Sequence, residues 1–184
     1  MNVLVGCEFT GTVRDEFRKK GYNAYSCDII ESESSNKFHI KKDVRDLDFS
    51  DYDLGIFFPP CTYLCVSGAR WFKERQKEQK ESLEFVKFLM DLPIPKIAIE
   101  NPIGVISTRI RKPDQIIQPY QFGHGETKST CLWLKNLPKL VPTKIMNERK
   151  PKIHLMPPGK NRSKDRSRTY LGIAKAMASQ WITP

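Results

Sequence analysis

Five short apolar runs in the first hundred residues each stop at a polar or acidic group, and helical stretches lie between several of them. Asn2–Val5 reads as a strand that enters a Gly- and Thr-containing turn. Val13–Lys20 follows as an amphipathic helix stopped by Gly21. Tyr22–Cys27 is a second strand ending in Asp28, and Phe38–Ile40 a weak third leading to Asp43. Leu54–Phe58 is a buried strand that runs into Pro59-Pro60. Trp71–Met90 reads as a long helix, with Leu83, Val86, Phe88, Leu89 and Met90 toward its buried side. Lys96–Ile99 is a fifth strand, closed by Glu100. Farther on, Ser129–Leu134 reads as one more strand and Gly172–Trp181 as a closing helix. This alternation predicts an α/β domain over 1–184, a mostly parallel sheet with helices on both faces. The basic stretch at about 138–170 is expected to be loop.

In open sheets of this kind, ligands bind outside the carboxyl ends of the strands. The groups at those ends are therefore the first candidates: Cys7, Glu8, Phe9 and Gly11; Asp28; Asp43 and Val44; Pro59 and Cys61; Glu100 and Asn101. The turn after the first strand is not a G-x-G-x-x-G, which argues against a dinucleotide. An acid closing the second strand is placed to bond a ribose hydroxyl, and Asp28 stands there. The double proline stiffens the loop after Phe58 and directs Cys61 toward the crevice. Cys61 and Cys65 form a C-x-x-x-C pair, a poor zinc pair without other ligands, and no redox C-x-x-C exists. Cys7, Cys27, Cys65 and Cys131 read as small buried hydrophobes. Cys61 reads as a nucleophile.

Charge is divided unevenly. Residues 1–100 carry 15 basic and 17 acidic residues, whereas 101–184 carry 16 basic and 4 acidic ones. Most of that excess lies in Pro142–Tyr170, where Arg162, Arg166 and Arg168 stand among nine basic residues facing only Glu148 and Asp165. Such a segment attracts a polyanion through counterion release. No apolar run nears the roughly 20 residues that span a bilayer. With five cysteines and no signal-like leader, a cytoplasmic setting without membrane contact is expected. The oligomeric state is left open, a dimer included.

The ordered set CEFTG, Asp28, Asp43-Val44, PPCTYLCVSG and ENP resembles the catalytic domain of the DNA cytosine-5 methyltransferases. More narrowly it is similar to compact, phage-borne members without a separate target-recognition domain, which share blocks such as GHGETK-x-TCLWLK and SRTY-x-GIA-x-AMA-x-QW. The resemblance implies a Rossmann-like, S-adenosylmethionine-dependent fold and transfer of a methyl group to carbon 5 of cytosine in DNA. It assigns Cys61 the attack on carbon 6, Glu100 the support of ring nitrogen 3, and Asn101 the holding of the loop. S-adenosylmethionine would lie against Cys7, Glu8, Phe9, Gly11, Asp28, Asp43, Val44 and Pro59, with Asp28 at the ribose and Asp43 at the adenine amino group. Ser67, Gly68, Lys128, Arg162, Arg166 and Arg168 are expected at the nucleic acid, Lys128 in place of a family arginine. A local positive field is expected to favour the Cys61 thiolate.

Three alternatives stand beside this. Amino-group methyltransferases place an aromatic directly after their P-P turn, whereas here Cys61 follows and Tyr63 is displaced by two. RNA, single-stranded DNA or a nucleotide can replace duplex DNA. A non-catalytic nucleic-acid-binding phage protein would need neither Cys61 nor Glu100. His124, between two glycines, is expected to be structural rather than substrate-touching.

Overall fold

The computed structural model describes residues 1–160 and 162–182. Seven strands form one sheet: β1 (Asn2–Gly6), β2 (Asn23–Asp28), β3 (His39–Lys41), β4 (Leu54–Phe57), β5 (Lys96–Pro102), β6 (Gln115–Ile117) and β7 (Thr130–Lys135). Their spatial order is β3-β2-β1-β4-β5-β7-β6. The first five run parallel, and β7 pairs antiparallel with both β5 and β6. This is a Rossmann-like, mostly parallel α/β fold. The order reverses between β1 and β4, so the crevice opens at the carboxyl ends of those two strands.

Alternation along each strand sorts the core onto two faces. Val3, Val5, Leu54, Ile56 and Ala98 meet α1 (Thr12–Lys19) and α6 (Leu171–Gln180) through Val13, Phe17, Ile173 and Met177. Leu4, Phe57, Ile97 and Ile99 meet α2 (Gln76–Met90) and α3 (Ile106–Arg109) through Val86, Leu89 and Ile106. Each fully buried Val, Leu, Ile, Phe or Met side chain among these contributes about 1.5–3 kcal/mol of transfer free energy.

α1 is held by polar contacts as well. Arg14 is completely buried, yet its guanidinium donates to Ser26 Oγ at 2.9 Å and to the Ser35 carbonyl at 3.1 Å, and pairs with Asp15 at 2.8 Å. Gly11 starts the helix at φ 71, and a Cβ there would strike the Arg14 guanidinium.

The C-terminal helix is locked by the two late sequence blocks acting on each other. The Gly172 amide, in the first turn of α6, donates to His124 Nε2 at 2.9 Å, and the Tyr170 hydroxyl donates to Glu126 Oε2 at 2.7 Å. A Cβ at position 172 would collide with the Phe122 carbonyl oxygen, so a glycine is needed for that close approach. His124 is therefore an acceptor at Nε2, and burial lowers its pKa. It acts in docking.

Several elements differ from the sequence expectation. The long helix starts at Gln76, not Trp71, and Val66–Trp71 is a 3-10 segment. The backbone decides this: Cys65 bridges to Gly104, and the Val66 amide donates to the Ile103 carbonyl at 3.1 Å. Of the expected buried side of α2, only Val86 and Leu89 are fully enclosed. The basic stretch is not all loop, because α4 (Lys152–Leu155) and α5 (Arg162–Ser167) lie in it. β6 and α3 are too short to leave a period in the sequence.

Candidate active site

β4 ends at the buried Phe57; Phe58 then lines the switch-point crevice, and the two prolines carry the chain along it to Cys61. The Asn101 Nδ2 donates to the Pro59 carbonyl at 2.7 Å, tying this turn to the end of β5. Two backbone bonds, from the Leu64 and Cys65 amides to the Cys61 carbonyl (3.1 and 3.0 Å), fold the loop tightly beyond the thiol. Asn101 is 1% exposed, and its Oδ1 has no partner among the described residues.

Cys61, Glu100, Asn101 and Lys128 line one recess of about 80 Å³, with Phe58 and Pro59. Register explains how residues from two strands meet there: Pro102 lies opposite Thr130, which sets Lys128 just beyond the end of β5. The Lys128 Nζ donates to the Arg166 carbonyl at 2.9 Å, so the segment before α6 roofs the recess.

The electrostatics correct one expectation. Burial, then Cys65 and Glu100, push the Cys61 thiol above its ordinary pKa, and Lys128 only partly offsets them. Desolvation outweighs the single cation, so the resting side chain is a thiol rather than a thiolate. Glu100 is also raised, chiefly by burial, with Lys128 and the Thr130 side chain pulling the other way. A neutral carboxylic acid can donate a hydrogen bond, which a carboxylate cannot. Cys7 and Cys131 are pushed up too, Cys131 to about 11, and both are held as neutral thiols.

The recess opens into a cleft of about 1260 Å³ lined on one side by Asp28, Ile29, Asp43 and Val44, and on the other by Tyr63, Val66, Trp71 and Ile103. Asp28 projects from the end of β2, with its Oδ1 accepting the Ile30 amide at 3.2 Å. Asp43 departs from its expected role, since its carboxylate accepts from the Arg45 amide (2.9 Å) and guanidinium (3.0 Å), which hold its pKa low. An adenine amino group would have to share it with Arg45. Glu8 departs further: it is 4% exposed and accepts from the Val13 and Arg14 amides at 2.6 and 3.3 Å. Its carboxyl is the cap of α1, not a free ligand group. Cys7, at φ 57, makes the backbone turn that sends Glu8 inward.

The donor set discriminates between cofactors. A helix N-terminus at a switch point ordinarily takes a phosphate, but Glu8 already occupies the amides of α1. A phosphate would meet a buried carboxyl there. A cofactor with an adenosine and no phosphate suits Asp28, Ile29 and Val44, so the residues present fit S-adenosylmethionine.

The remaining expected contacts divide. Phe9 lines the recess, with Lys164 Nζ 5.1 Å from its ring centroid. Ser67 Oγ lies 3.2 Å from Cys65 Sγ, and the Gly68 amide donates to the Cys65 carbonyl. Arg162 donates to the Met156 carbonyl at 2.9 Å and borders the cleft, as does Arg166. Arg168 is drawn away from a substrate role by a two-point pair with Glu33. Glu33, pushed down to about 2 by Arg168 and Lys164, is a residue that sequence reasoning missed. Nothing local marks it, because its partners lie 131 and 135 positions away.

No protein-family profile and no curated protein matches the sequence. Among solved structures, the chain is similar to the Dnmt2 methyltransferase of S. pombe, at 18% identity and a TM-score of 0.47, over 76% of this chain and 51% of that one. It is likewise similar to a mutant DNMT2 of Spodoptera frugiperda, at 14% identity and a TM-score of 0.47, over 82% and 54%. The chain thus spans about half the length of these structures. Among the described residues no helix is long and apolar enough to cross a membrane.

Proposed function

We propose that this chain methylates carbon 5 of cytosine in DNA, using Cys61 as nucleophile and Glu100 as acid. The observation that carries the reading is the convergence of Cys61 and Glu100, 39 positions apart, in one small recess beside a cleft that suits S-adenosylmethionine. Asp28 would hold the ribose, and Ile29 and Val44 the adenine; the cofactor supplies an electrophilic methyl group when bound.

The rest is done by the chain. Carbon 5 of cytosine is a weak nucleophile until a sulfur adds at carbon 6. Cys61 forms that bond as its thiol proton passes to solvent. Glu100, whose protonated form burial favours, donates to ring nitrogen 3 and stabilises the charge that the addition places on the ring. Lys128 lies close enough to favour the charged forms of both groups as the reaction proceeds. Asn101 positions the loop through the Pro59 carbonyl. Once carbon 5 carries the methyl group, loss of its proton to solvent lets the carbon–sulfur bond break, and the departing thiolate takes up a proton to return the thiol. A base in a duplex must leave the stack to reach such a recess.

DNA carrying 5-fluorocytosine tests this, since fluorine cannot leave as a proton and the adduct stays. With cofactor, the wild type is expected to form a denaturant-resistant complex. Cys61→Ser forms none, while Cys65→Ser and Cys131→Ser still do. An adduct mapped to Cys65 would overturn the assignment, and cofactor binding with no adduct would overturn the reaction.

A further inference from the structure

The cleft wall opposite Asp28 carries a surface that neither the cofactor nor the chemistry uses. Trp71 is 44% exposed, and Val66 and Ile103 beside the same cleft are 56% and 41% exposed. Two cations flank the ring. The Arg70 guanidinium lies 5.0 Å from the Trp71 ring centroid, and that of Arg75 lies 6.0 Å from Trp71 and 5.7 Å from Tyr63. The ion pairs among the described residues involve neither arginine. An exposed indole and a half-buried phenol interleaved with guanidiniums outside any of those ion pairs is the composition of a base-stacking surface that also attracts phosphates. Its backbone is anchored to the Ile103–Gly104 turn, so the rings are held at a set distance from Cys61.

We infer that Tyr63, Arg70, Trp71 and Arg75 form a stacking platform for single-stranded polynucleotide flanking the target base. The inference rests on the nucleic-acid reading above and narrows its substrate to strands whose base faces are free. In a duplex those faces are covered by neighbouring pairs, and only edges and backbone are offered. A platform of ring faces is therefore wasted on a duplex and matched to a strand. The guanidiniums supply charge complementarity, and the cleft runs without interruption from Trp71 to the Cys61 recess.

The molecule contains its own probe. Of the three tryptophans, Trp133 is 1% exposed and Trp181 fully buried, so a fluorescence change on ligand addition reports Trp71. Titration with oligodeoxyuridylate or oligouridylate is expected to quench the emission, and a blunt duplex of equal length is not. The stronger quencher of the two strands assigns the sugar. Trp71→Ala should abolish the change and weaken single-strand binding about ten-fold, read by anisotropy of an end-labelled strand, while Trp71→Phe keeps most of the affinity. The Arg70→Ala, Arg75→Ala double variant should lower the slope of log affinity against log salt by about 1.4. Unchanged fluorescence, wild-type affinity in Trp71→Ala, or equal quenching by the duplex would each overturn the platform. The 5-fluorocytosine adduct separates the two readings: quenching without any adduct in the wild type leaves the platform standing and removes the methyl transfer.

Discussion

The ends of β1 and β5 each carry a glutamate in the crevice, and the two are used in opposite ways. Glu8 follows β1 by two residues and is enclosed, with two helix amides and the Thr10 hydroxyl bonded to its carboxyl. Glu100, within β5, faces the recess with Cys61 and has Lys128 as its nearest charge influence. Burial raises the pKa of both. The comparison teaches that a glutamate at a strand end faces the crevice only where no backbone amide engages its carboxyl. Asp28 and Asp43 repeat the contrast one strand over, since Arg45 occupies Asp43 and only a backbone turn engages Asp28.

The sharpest way to break the comparison is at Glu100. Glu100→Gln keeps the shape of the side chain but removes the acidic proton, and turnover is expected to fall by about 10²–10³ in a single-turnover assay. Calorimetry should find cofactor affinity unchanged. If Glu8→Gln cost as much turnover with the fold intact, the two acids would not be distinct.

Glu8 is expected to show its role in stability instead. Its pKa is pushed up to about 7 from an ordinary 4.5, chiefly by burial. The native state therefore keeps a proton that the unfolded chain releases. The associated stability is fully present below about pH 4.5 and is lost as pH rises through about 7, amounting to roughly 3 kcal/mol. Denaturant unfolding of the wild type against Glu8→Gln between pH 4.5 and 8 should show that slope only in the wild type. Parallel curves would mean that the helix amides keep Glu8 ionised.

The aspartates give the smallest effect. Asp28→Ala should weaken S-adenosylmethionine binding by about 1–3 kcal/mol, the value of a hydrogen bond to a charged group. Asp43→Ala should cost less, because the cofactor would compete with Arg45 for that carboxylate. Equal losses by calorimetry would restore Asp43 as a direct contact.

How much of this was legible beforehand follows from range. The period of the apolar runs made β1, β2, β4, β5, β7 and α6 readable within a few residues, since each hides a face on its own account. The Pro59-Pro60-Cys61 turn was readable for the same kind of reason: proline restricts the backbone locally. Trp71 was hidden because its surroundings carry a helical composition up to Met90, and only pairing of Cys65 and Val66 with Ile103 and Gly104 turns it outward. The basic excess was plain in composition, but Glu33 decides that Arg168 is not free.

Residue types, their order and their local backbone preferences determined the α/β alternation, the rigid turn before Cys61 and the polar groups at the strand ends. Tertiary structure alone decided which of those groups stay available. Availability depends on partners brought from far along the chain: the amides of α1 for Glu8, Arg45 for Asp43, Lys128 for Glu100 and the Cys65–Gly104 bridge for Trp71. Local propensity is additive along the sequence. Desolvation and hydrogen-bond competition arise only when distant segments close around the same atom.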